Sequence, residues 1–403
     1  MKTFDEALDI LLSKAVLTTQ TERVSITHAL GRVLAQNITS ALNVPPHHNS
    51  MMDGYAVCAN DAHEIKAGKV FTISQCIAAG MIGQPLEQGT VARIFTGAAM
   101  PEGADSVIMQ EEATEIEGGV KFSVTSFQSS QNVRHIGEDI ARGAVVLSKG
   151  HKLRAQDLGL ITSIGIAEVE VYQPLTIATF TTGDELLEPG EQAKAGKIYN
   201  ANRYILAGLV PRLGFELIDL GRVPDTLEAT IVALKQAASV ADVVITTGGV
   251  SVGDEDHIKP AVEQVGHLDL WKVKMKPGKP LAYGEVAGKP FIGLPGNPVS
   301  AFSTFNLFAR PFLLKMQGQQ KVRLTPLWLK ANFDWSKKGF RRDFVRAQLE
   351  SCGQETVVNL FPNQGSGVLT STVWAEGLAV IPEDSTIEKG DLVAYYAFNE
   401  MTS

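Results

Sequence analysis

A loop rich in glycine, hydroxyl and carboxylate side chains joins a short apolar run to a predicted helix. Glycine lets the backbone approach a ligand closely, and free N–H groups at a helix N-terminus bind phosphate-like oxygens. Carboxylates at the end of the loop are ligands for a divalent cation. A tight strand-to-helix turn with an aspartate N-cap is the alternative that the spacing leaves open. The candidate ligand residues of this loop, 246–256, are Gly248, Gly249, Ser251 and Asp256.

Two further loops carry groups that bind anions. Lys272, Lys276 and Lys279 converge on one proline-glycine turn, and each ammonium is a compact positive charge on a flexible stem. The turn 293–300 joins a predicted strand to a predicted helix, whose first N–H groups are free to bind an oxyanion. A solvated turn and a rigid proline turn are the structural alternatives for these two loops. The second turn contributes Pro295, Pro298 and Ser300.

Acidic residues follow two other predicted strands. Glu185 comes shortly after the apolar run 175–180, and Asp225 shortly after the run 215–220. Ligands of open α/β sheets bind beyond the ends of the strands, so we expect these carboxylates beside the lysine and glycine loops. Mg²⁺ commonly lies between a few carboxylates and the phosphate oxygens of a substrate. The residue types therefore indicate a combined site for Mg²⁺ and an oxyanion.

Two other clusters give weaker signals. Arg341, Arg342 and Arg346 resemble a nucleic-acid patch, but the acidic total and the lack of interleaved stacking aromatics argue against that function. We therefore expect no nucleic-acid partner. His47 and His48 look like metal ligands, but adjacent histidines point apart on most backbones and no third ligand is near in the sequence.

The elements that must position these loops alternate between strand and helix from residue 174 onward. Short apolar runs separated by helical lengths predict βαβ units around a buried parallel sheet. The predicted strands are 175–180, 215–220, 241–246 and 289–294, and the predicted helices are 204–213, 227–239 and 258–265.

The rest of the chain is mostly β in character. Short β-type runs broken by glycine and proline fill 43–142, and a second β region follows from 322 onward. The chain opens with an amphipathic helix after a capping box at Thr3 and Glu6. We expect its apolar stripe to pack on its own domain, with a partner subunit as the alternative. The segment 143–173 is expected to return to that helix and complete a small domain.

The composition narrows the class of protein. Of 403 residues, 44% are hydrophobic and 20% are charged, which is ordinary for a folded chain of two or three domains. A net charge of −8 argues against general attraction to nucleic acid or anionic lipid, so a local cluster must bind any anion. The three dispersed cysteines predict a reducing, cytoplasmic compartment, and no apolar stretch predicts a membrane span.

Eight ordered motifs resemble those of the MoeA family of molybdopterin molybdenumtransferases, to which the C-terminal domain of gephyrin also belongs. The resemblance runs nearly end to end. One departure is His47-His48, where relatives usually carry Phe-Asp. The motifs are Pro45-Pro46 with Met52-Asp53-Gly54-Tyr55-Ala56, Phe95-Thr96-Gly97-Ala98, Pro101-Glu102-Gly103-Ala104-Asp105, Gly137-Glu138-Asp139-Ile140, Thr182-Gly183-Asp184-Glu185-Leu186, Gly248-Gly249-Val250-Ser251-Val252-Gly253, Lys276-Pro277-Gly278-Lys279-Pro280 and Leu294-Pro295-Gly296-Asn297-Pro298-Val299-Ser300.

The resemblance implies a multidomain α/β plus β fold and a reaction. The reaction is the last step of molybdenum cofactor synthesis, in which molybdate is inserted into adenylylated molybdopterin and AMP is released with the help of a divalent cation. The protein would be an elongated homodimer, with molybdopterin adenylyltransferase and cofactor-accepting enzymes as further candidate partners. The implied domains are a helical linker domain in two segments, 1–42 and 143–173; a β-rich domain, 43–142; a doubly wound α/β domain like molybdopterin adenylyltransferase, 174–321; and a C-terminal β-barrel, 322–403.

The family's functional positions can be carried over one by one. Glu185, Asp225 and Asp256 would bind the cation, and Asp53 and Thr96 would come from across the dimer. The matching acids are Asp53, Asp139, Glu185, Asp225 and Asp256; the matching bases are Lys272, Lys276 and Arg346; Thr96, Pro295, Pro298 and Ser366 match further cleft positions. The residues expected on molybdate are Lys276, Lys279, Arg346, Ser300 and Ser366.

Two other function classes compete with this assignment. A phosphotransferase or nucleotide hydrolase could use the same glycine-rich turn, although the Gly-Lys-Ser/Thr ending of a Walker loop is missing. A non-catalytic scaffold would bind the pterin and release no AMP, and the presence of the acidic set argues against it. The residues do not distinguish molybdate from tungstate, because the two oxyanions have nearly equal size and charge.

Overall fold

The computed structural model describes residues 1–249 and 257–401, except for the side chains of residues 270 and 271. The expected fold class is confirmed: a central α/β region is flanked by a β-rich region and by a closed C-terminal barrel. Two predicted site residues, Ser251 and Asp256, lie outside the described residues.

The first segment begins with a helix whose start is set by a capping box. The Thr3 backbone N–H donates to Glu6 Oε2 at 2.8 Å, and the Glu6 N–H donates to Thr3 Oγ1 at 3.3 Å. The Phe4 ring lies 5.1 Å from that of Phe308 and 5.0 Å from that of Phe344. The helix therefore packs on the α/β region and the barrel, and the expectation that it packs on the small domain is wrong. The elements are α1 (Phe4–Ser13), β1 (Thr21–Ser25) and β2 (Ile38–Thr39).

The β-rich region is built on a six-stranded sheet. Its elements are β3 (Asn49–Ser50), β4 (Gly54–Val57), α2 (Ala62–Lys66), β5 (Val70–Ile77), β6 (Thr90–Ile94), β7 (Ser106–Met109), β8 (Ala113–Ile116), β9 (Gly119–Phe122) and β10 (Val133–Arg134). The strand order is β7-β4-β6-β5-β9-β8. Gly54 has no room for a side chain, because an added Cβ would overlap the Ile108 carbonyl oxygen. This close approach fixes the start of β4, directly after Asp53.

The segment that follows returns to the start of the chain. Its elements are β11 (Val145–Leu147), α3 (Ala155–Ser163) and β12 (Glu168–Tyr172). Strand β12 pairs with β1 from Thr21 to Ser25, and β11 pairs with β2, both antiparallel. The two segments therefore share backbone hydrogen bonds.

The α/β region is built on a second six-stranded sheet. Its order is β16-β13-β17-β21-β20-β18, and only β20 runs against its neighbours. The elements are β13 (Thr176–Thr182), β14 (Leu186–Leu187), β15 (Ile198–Tyr199), α4 (Ala201–Arg212), β16 (Glu216–Val223), α5 (Leu227–Val240), β17 (Val243–Thr247), α6 (Ile258–Val265), β18 (Gly266–Lys272), β19 (Met275–Lys276), β20 (Pro280–Val286), β21 (Lys289–Leu294), α7 (Pro298–Thr304), a π-helical turn (Phe305–Ala309) and α8 (Arg310–Met316).

The central strands of this sheet are buried on both faces. Ile177 and Ile245 belong to an apolar cluster shared with α1 and α8, whereas Ala178 and Val244 pack against the α5 and α6 side. Each large aliphatic side chain buried in this way stabilises the fold by about 1.5–3 kcal/mol. The four parallel strands predicted from the sequence are present, and they end together at one edge.

The C-terminal region is a closed barrel of five strands, because β23 pairs with both β24 and β25. Its elements are β22 (Leu327–Ala331), β23 (Arg342–Cys352), β24 (Glu355–Leu360), α9 (Thr370–Trp374), β25 (Gly377–Ile381), β26 (Leu392–Ala397) and α10 (Phe398–Met401). Strand β19 of the α/β region joins this sheet in parallel with β23, which places Met275 beside Arg342 and Lys276 beside Asp343. The backbone pairing therefore sets the relative position of the two regions.

We expect Phe4→Ala to lower the free energy of unfolding by about 3 kcal/mol, because it removes a buried ring from the junction of three elements. Urea unfolding followed by circular dichroism measures the effect. Val16→Ala is the control, since Val16 is 73% exposed and its truncation should change stability by less than about 0.5 kcal/mol. Equal effects of the two substitutions would contradict the proposed docking of α1.

Candidate active site

A cleft of about 890 Å³ opens at the carboxyl edge of the parallel strands, between the α/β region and the barrel. Its walls come from the loops after β13, β17 and β21, from the start of α4, from the turn after β19 and from two loops of the barrel. This is the edge at which ligand binding is predicted from the sequence. The predicted site residues that line the cleft are Glu185, Gly248, Gly249, Lys276, Lys279, Pro295, Pro298, Ser300 and Ser366.

The loop after β17 requires glycine for its conformation. Gly248 and Gly249 have φ angles of +81° and +65°, in the left-handed region that glycine adopts without strain. The Gly248 N–H donates to the Leu294 carbonyl oxygen at 3.0 Å, which ties this loop to the loop after β21. An added Cβ on Gly296 would come within 3.6 Å of the Gly248 Cα. The two loops therefore form one continuous wall of backbone.

The barrel closes the cleft through a loop that is held by Gln364. The Gln364 amide donates to the carbonyl oxygens of Arg346 and Phe361 at 2.9 Å, and it accepts from the Arg346 N–H at 2.9 Å. Two residues further on, the Ser366 carbonyl oxygen accepts from the Val299 N–H at 3.1 Å. These bonds place Ser366 at the start of α7, in the cleft wall that also contains Ser300.

The turn after β19 carries two of the three predicted lysines into the cleft. Lys276 and Lys279 line it, whereas Lys272 lies at the end of β18 and is not among the lining residues. Gly278 has a φ of +102°, and a side chain there would overlap the Thr304 hydroxyl. The backbone of the turn is therefore packed closely against α7.

A buried carboxylate connects the cationic residues of the cleft. Lys276 Nζ lies 3.8 Å from Asp343 Oδ2. Burial raises the pKa of the Asp343 carboxyl, and the charges of Lys276, Arg341 and Arg346 act in the opposite direction. Lys276 and Arg346 therefore belong to one electrostatic cluster that spans the boundary between the α/β region and the barrel.

Arg346 lies behind the wall of the cleft rather than in it. The residue is 1% exposed, and its guanidinium donates to Ser371 Oγ at 3.0 Å and to the Gly365 carbonyl oxygen at 3.1 Å. Burial lowers its pKa to about 10. In this structure it supports the loop that carries Ser366, and Arg341 is the arginine that lines the cleft.

The predicted cation ligands are brought together only in part. Glu185 lines the cleft, with its carboxylate folded over Gly183, where φ is +140°. Asp225 follows β16 but is not among the lining residues, and Asp256 lies outside the described residues. Within 1–249 and 257–401, no three His, Cys, Asp or Glu residues group in a way that could hold a metal ion.

Three predicted residues lie in the β-rich region, away from the cleft of the same chain. Asp53 Oδ1 accepts from the Thr96 N–H at 2.8 Å and from Thr96 Oγ1 at 2.7 Å. These two bonds, the backbone one above all, hold the pKa of the Asp53 carboxyl below its ordinary value. Asp139 is exposed, and its N–H donates to the Val44 carbonyl oxygen at 3.0 Å. Asp53, Thr96 and Asp139 therefore do not complete this cleft within one chain.

Several polar residues line the cleft although no sequence motif pointed to them. Asn200 caps α4 and also donates to Thr181 Oγ1 at 2.8 Å. Asn202 donates to the Gly296 carbonyl oxygen at 2.7 Å, while its Oδ1 is buried without a hydrogen-bond partner. The asparagine N-cap before a helical run is the signal that could have identified this wall. Arg341 carried no signal of its own beyond its charge.

Known protein families and relatives match this chain over nearly its whole length. Family models describe residues 2–165 as "MoeA N-terminal region (domain I and II)", 178–315 as "Probable molybdopterin binding domain" and 329–398 as "MoeA C-terminal region (domain IV)". The molybdopterin molybdenumtransferase of Haemophilus influenzae is 38% identical over 414 residues, covering 100% of both chains. The chain belongs to the MoeA family.

Other members show how far the similarity extends. Gephyrin of Dictyostelium discoideum is 32% identical over 448 residues, covering 98% of this chain and 62% of gephyrin. The crystal structure of the MoeA protein of Pyrococcus horikoshii OT3 superposes with a TM-score of 0.83 at 29% identity, covering 98% of this chain and 100% of that chain. The MoeA fold therefore accounts for nearly all of the described residues.

We expect Gly278→Ala to destabilise the protein more than Gly288→Ala does, and to weaken oxyanion binding in the cleft. Both glycines have positive φ, +102° and +80°, so alanine costs about 1 kcal/mol at either position. Only at Gly278 would the new methyl group also overlap a neighbour, the Thr304 hydroxyl. Thermal unfolding and titration with molybdate measure the two effects, and equal losses in both variants would contradict the close contact between this turn and α7.

Proposed function

We propose that this chain is a molybdopterin molybdenumtransferase, which inserts molybdate into adenylylated molybdopterin and releases AMP in the cleft beside Lys276. The observation that carries the proposal is the clustering of Lys276, Lys279 and Arg341 in one cleft of a chain whose net charge is −8. The full-length similarity to the Haemophilus influenzae transferase supports the same reaction.

The chain's own residues have separate tasks in this proposal. Molybdate is a tetrahedral dianion that must lose its hydration shell, and the ammonium groups of Lys276 and Lys279 replace part of that shell. Arg341 takes the direct role on molybdate that the family resemblance implies for Arg346, whereas Arg346 holds the loop that carries Ser366. Ser300 and Ser366 supply hydroxyl donors. The rate then comes from positioning and electrostatics, with no covalent intermediate on the enzyme.

A divalent cation is the second part of the proposal. The family uses a divalent metal ion, and we propose Mg²⁺ bound by Glu185, Asp225 and Asp256. Of these ligands only Glu185 lines the cleft among the described residues, and they include no three-residue metal cluster. The described side chains therefore do not form a complete cation site by themselves.

A homodimer is the third part. Asp53, Thr96 and Asp139 lie outside the cleft of their own chain, and we propose that they complete the cleft of a second copy. Apolar side chains beside Asp53 support an interface there, since Met51 and Met52 are 45% and 39% exposed.

The cytoplasm is the proposed compartment, with molybdopterin adenylyltransferase and cofactor-accepting enzymes as proposed partners. Among the described residues, no helix is long and apolar enough to cross a membrane.

We expect the purified protein to release AMP from adenylylated molybdopterin when Mg²⁺ and molybdate are added, and Lys276→Ala to raise the molybdate KM about tenfold or more. The loss of one cation beside a dianion is the physical reason. Lys289→Ala is the matched control, because Lys289 also pairs with an aspartate at 3.8 Å but lies outside the cleft. An unchanged molybdate KM in Lys276→Ala would remove Lys276 from the anion site, and no AMP release by the native protein would refute the proposed reaction.

We expect Glu185→Gln and Asp225→Asn to slow AMP release at saturating Mg²⁺ by about a hundredfold, because each removes one carboxylate from the proposed cation site. Initial rates at increasing Mg²⁺ measure the effect. Glu383→Gln is the control, since Glu383 pairs with Arg342 and does not line the cleft. Full activity of both variants at low Mg²⁺ would exclude this ligand set.

A further inference from the structure

We propose that Asp343 is an internal counterion that sets the oxyanion affinity of the cleft. Its carboxylate pairs with Lys276 when no dianion is bound, and a dianion that binds Lys276 must displace this carboxylate. The proposal rests on the proposed function, since it assumes that an oxyanion binds at Lys276. It makes Asp343 a positioning residue that acts through Lys276, with no contact to the reacting atoms required.

The first observation is the geometry of the pair. Parallel pairing of β19 with β23 places Lys276 directly beside Asp343. The distance from Lys276 Nζ to Asp343 Oδ2 is 3.8 Å, which exceeds the roughly 2.7–2.9 Å of a charge-assisted hydrogen bond. The ammonium is therefore held near the carboxylate but is not locked to it, and the Lys276 side chain is still 47% exposed to the cleft.

The second observation is the asymmetry of the surrounding charges. Three charged groups face the Asp343 carboxylate. They are Lys276 on β19, Arg346 on β23, and Arg341, which directly precedes β23. Strand β25 presents Ile381 as the backbone partner of Asp343, which adds no charge. One carboxylate thus lies among three cations, and its side chain is only 12% exposed. The neighbouring Arg342 is paired elsewhere, with Asp5 and Glu383 at 3.0 and 3.2 Å.

These observations define a competition. Without a ligand, the carboxylate lowers the repulsion among the three cations and keeps them together at the boundary between two regions. When a dianion approaches Lys276, the same carboxylate repels it, because like charges within about 4–6 Å disfavour each other. Removing the charge of Asp343 should therefore tighten oxyanion binding, even though it leaves Arg346 without its counterion and weakens the fold.

The same competition predicts the sign of the pH dependence. Burial raises the pKa of the Asp343 carboxyl, and a bound dianion raises it further. Binding is then coupled to proton uptake, so the affinity of the native protein for a dianion should rise as the pH falls toward that pKa. In Asp343→Asn the side chain cannot bind a proton in this pH range. Its affinity for a dianion should therefore depend less on pH.

The experiment is a calorimetric titration of the full chain with molybdate, without pterin, comparing the native protein with Asp343→Asn and Asp343→Glu. We expect Asp343→Asn to bind molybdate about tenfold more tightly, with a lower thermal midpoint, and Asp343→Glu to bind as the native protein does. Glu383→Gln is the matched control, because it neutralises another partly buried carboxylate of the barrel that pairs with an arginine. It should leave the affinity unchanged.

Two further measurements separate this role from a structural one. In the AMP-release assay, Asp343→Asn should lower the molybdate KM, whereas a merely structural residue would raise it or lower kcat. Titration with sulfate, a dianion that does not itself titrate between about pH 5 and pH 8, should show a steeper pH dependence for the native protein than for Asp343→Asn. Equal slopes would overturn the counterion role.

The outcomes also distinguish this inference from the proposed function. If the native protein binds neither molybdate nor sulfate, the proposed anion site fails and this inference fails with it. If the native protein binds molybdate and Asp343→Asn binds it equally or more weakly, the anion site stands and the counterion role is overturned. If Glu383→Gln and Asp343→Asn gained molybdate affinity equally, the gain would come from the lower negative charge of the protein as a whole. That result would also overturn the counterion role of Asp343.

Discussion

The structure depends on holding like charges together at the boundary of two regions. Lys276, Arg341 and Arg346 would repel one another in a chain without a compensating group, and Asp343 supplies that group. The pairing of β19 with β23 places the carboxylate and the ammonium in register. The same backbone bonds also fix the barrel against the α/β region, so the electrostatic cluster and the shape of the cleft have one origin.

Glycine and asparagine residues determine how closely the loops of the cleft approach one another. The positive φ of Gly248 and Gly249 lets the backbone turn where a side chain would be strained, and Asn202 ties the start of α4 to the loop after β21. The resulting wall is largely backbone and polar. It suits an anionic substrate because its donors are fixed before the ligand arrives, which reduces the cost of ordering them.

Much of the fold could be predicted from local patterns. Strand β21 and helix α6 begin and end at the predicted residues, 289–294 and 258–265, because their apolar periodicity and flanking turns are clear. Strand β20 was missed, since it starts within the proline-glycine turn and its pairing with β18 and β21 is a tertiary contact. Helix α1 was assigned to the wrong neighbour, because an amphipathic stripe specifies that a face is buried but not which surface buries it.

The sequence by itself determined the family and the residue types of the site, since ordered motifs and loop positions are local properties of the chain. It also placed Lys276, Lys279, Glu185 and Ser300 at one edge of a parallel sheet. Only the tertiary structure decided that Arg341 lines the cleft while Arg346 lies behind it, and that Asp343 lies among the cations. Which side of a strand faces a cleft depends on register and on the closure of the barrel, and neither is encoded in the neighbourhood of a single residue.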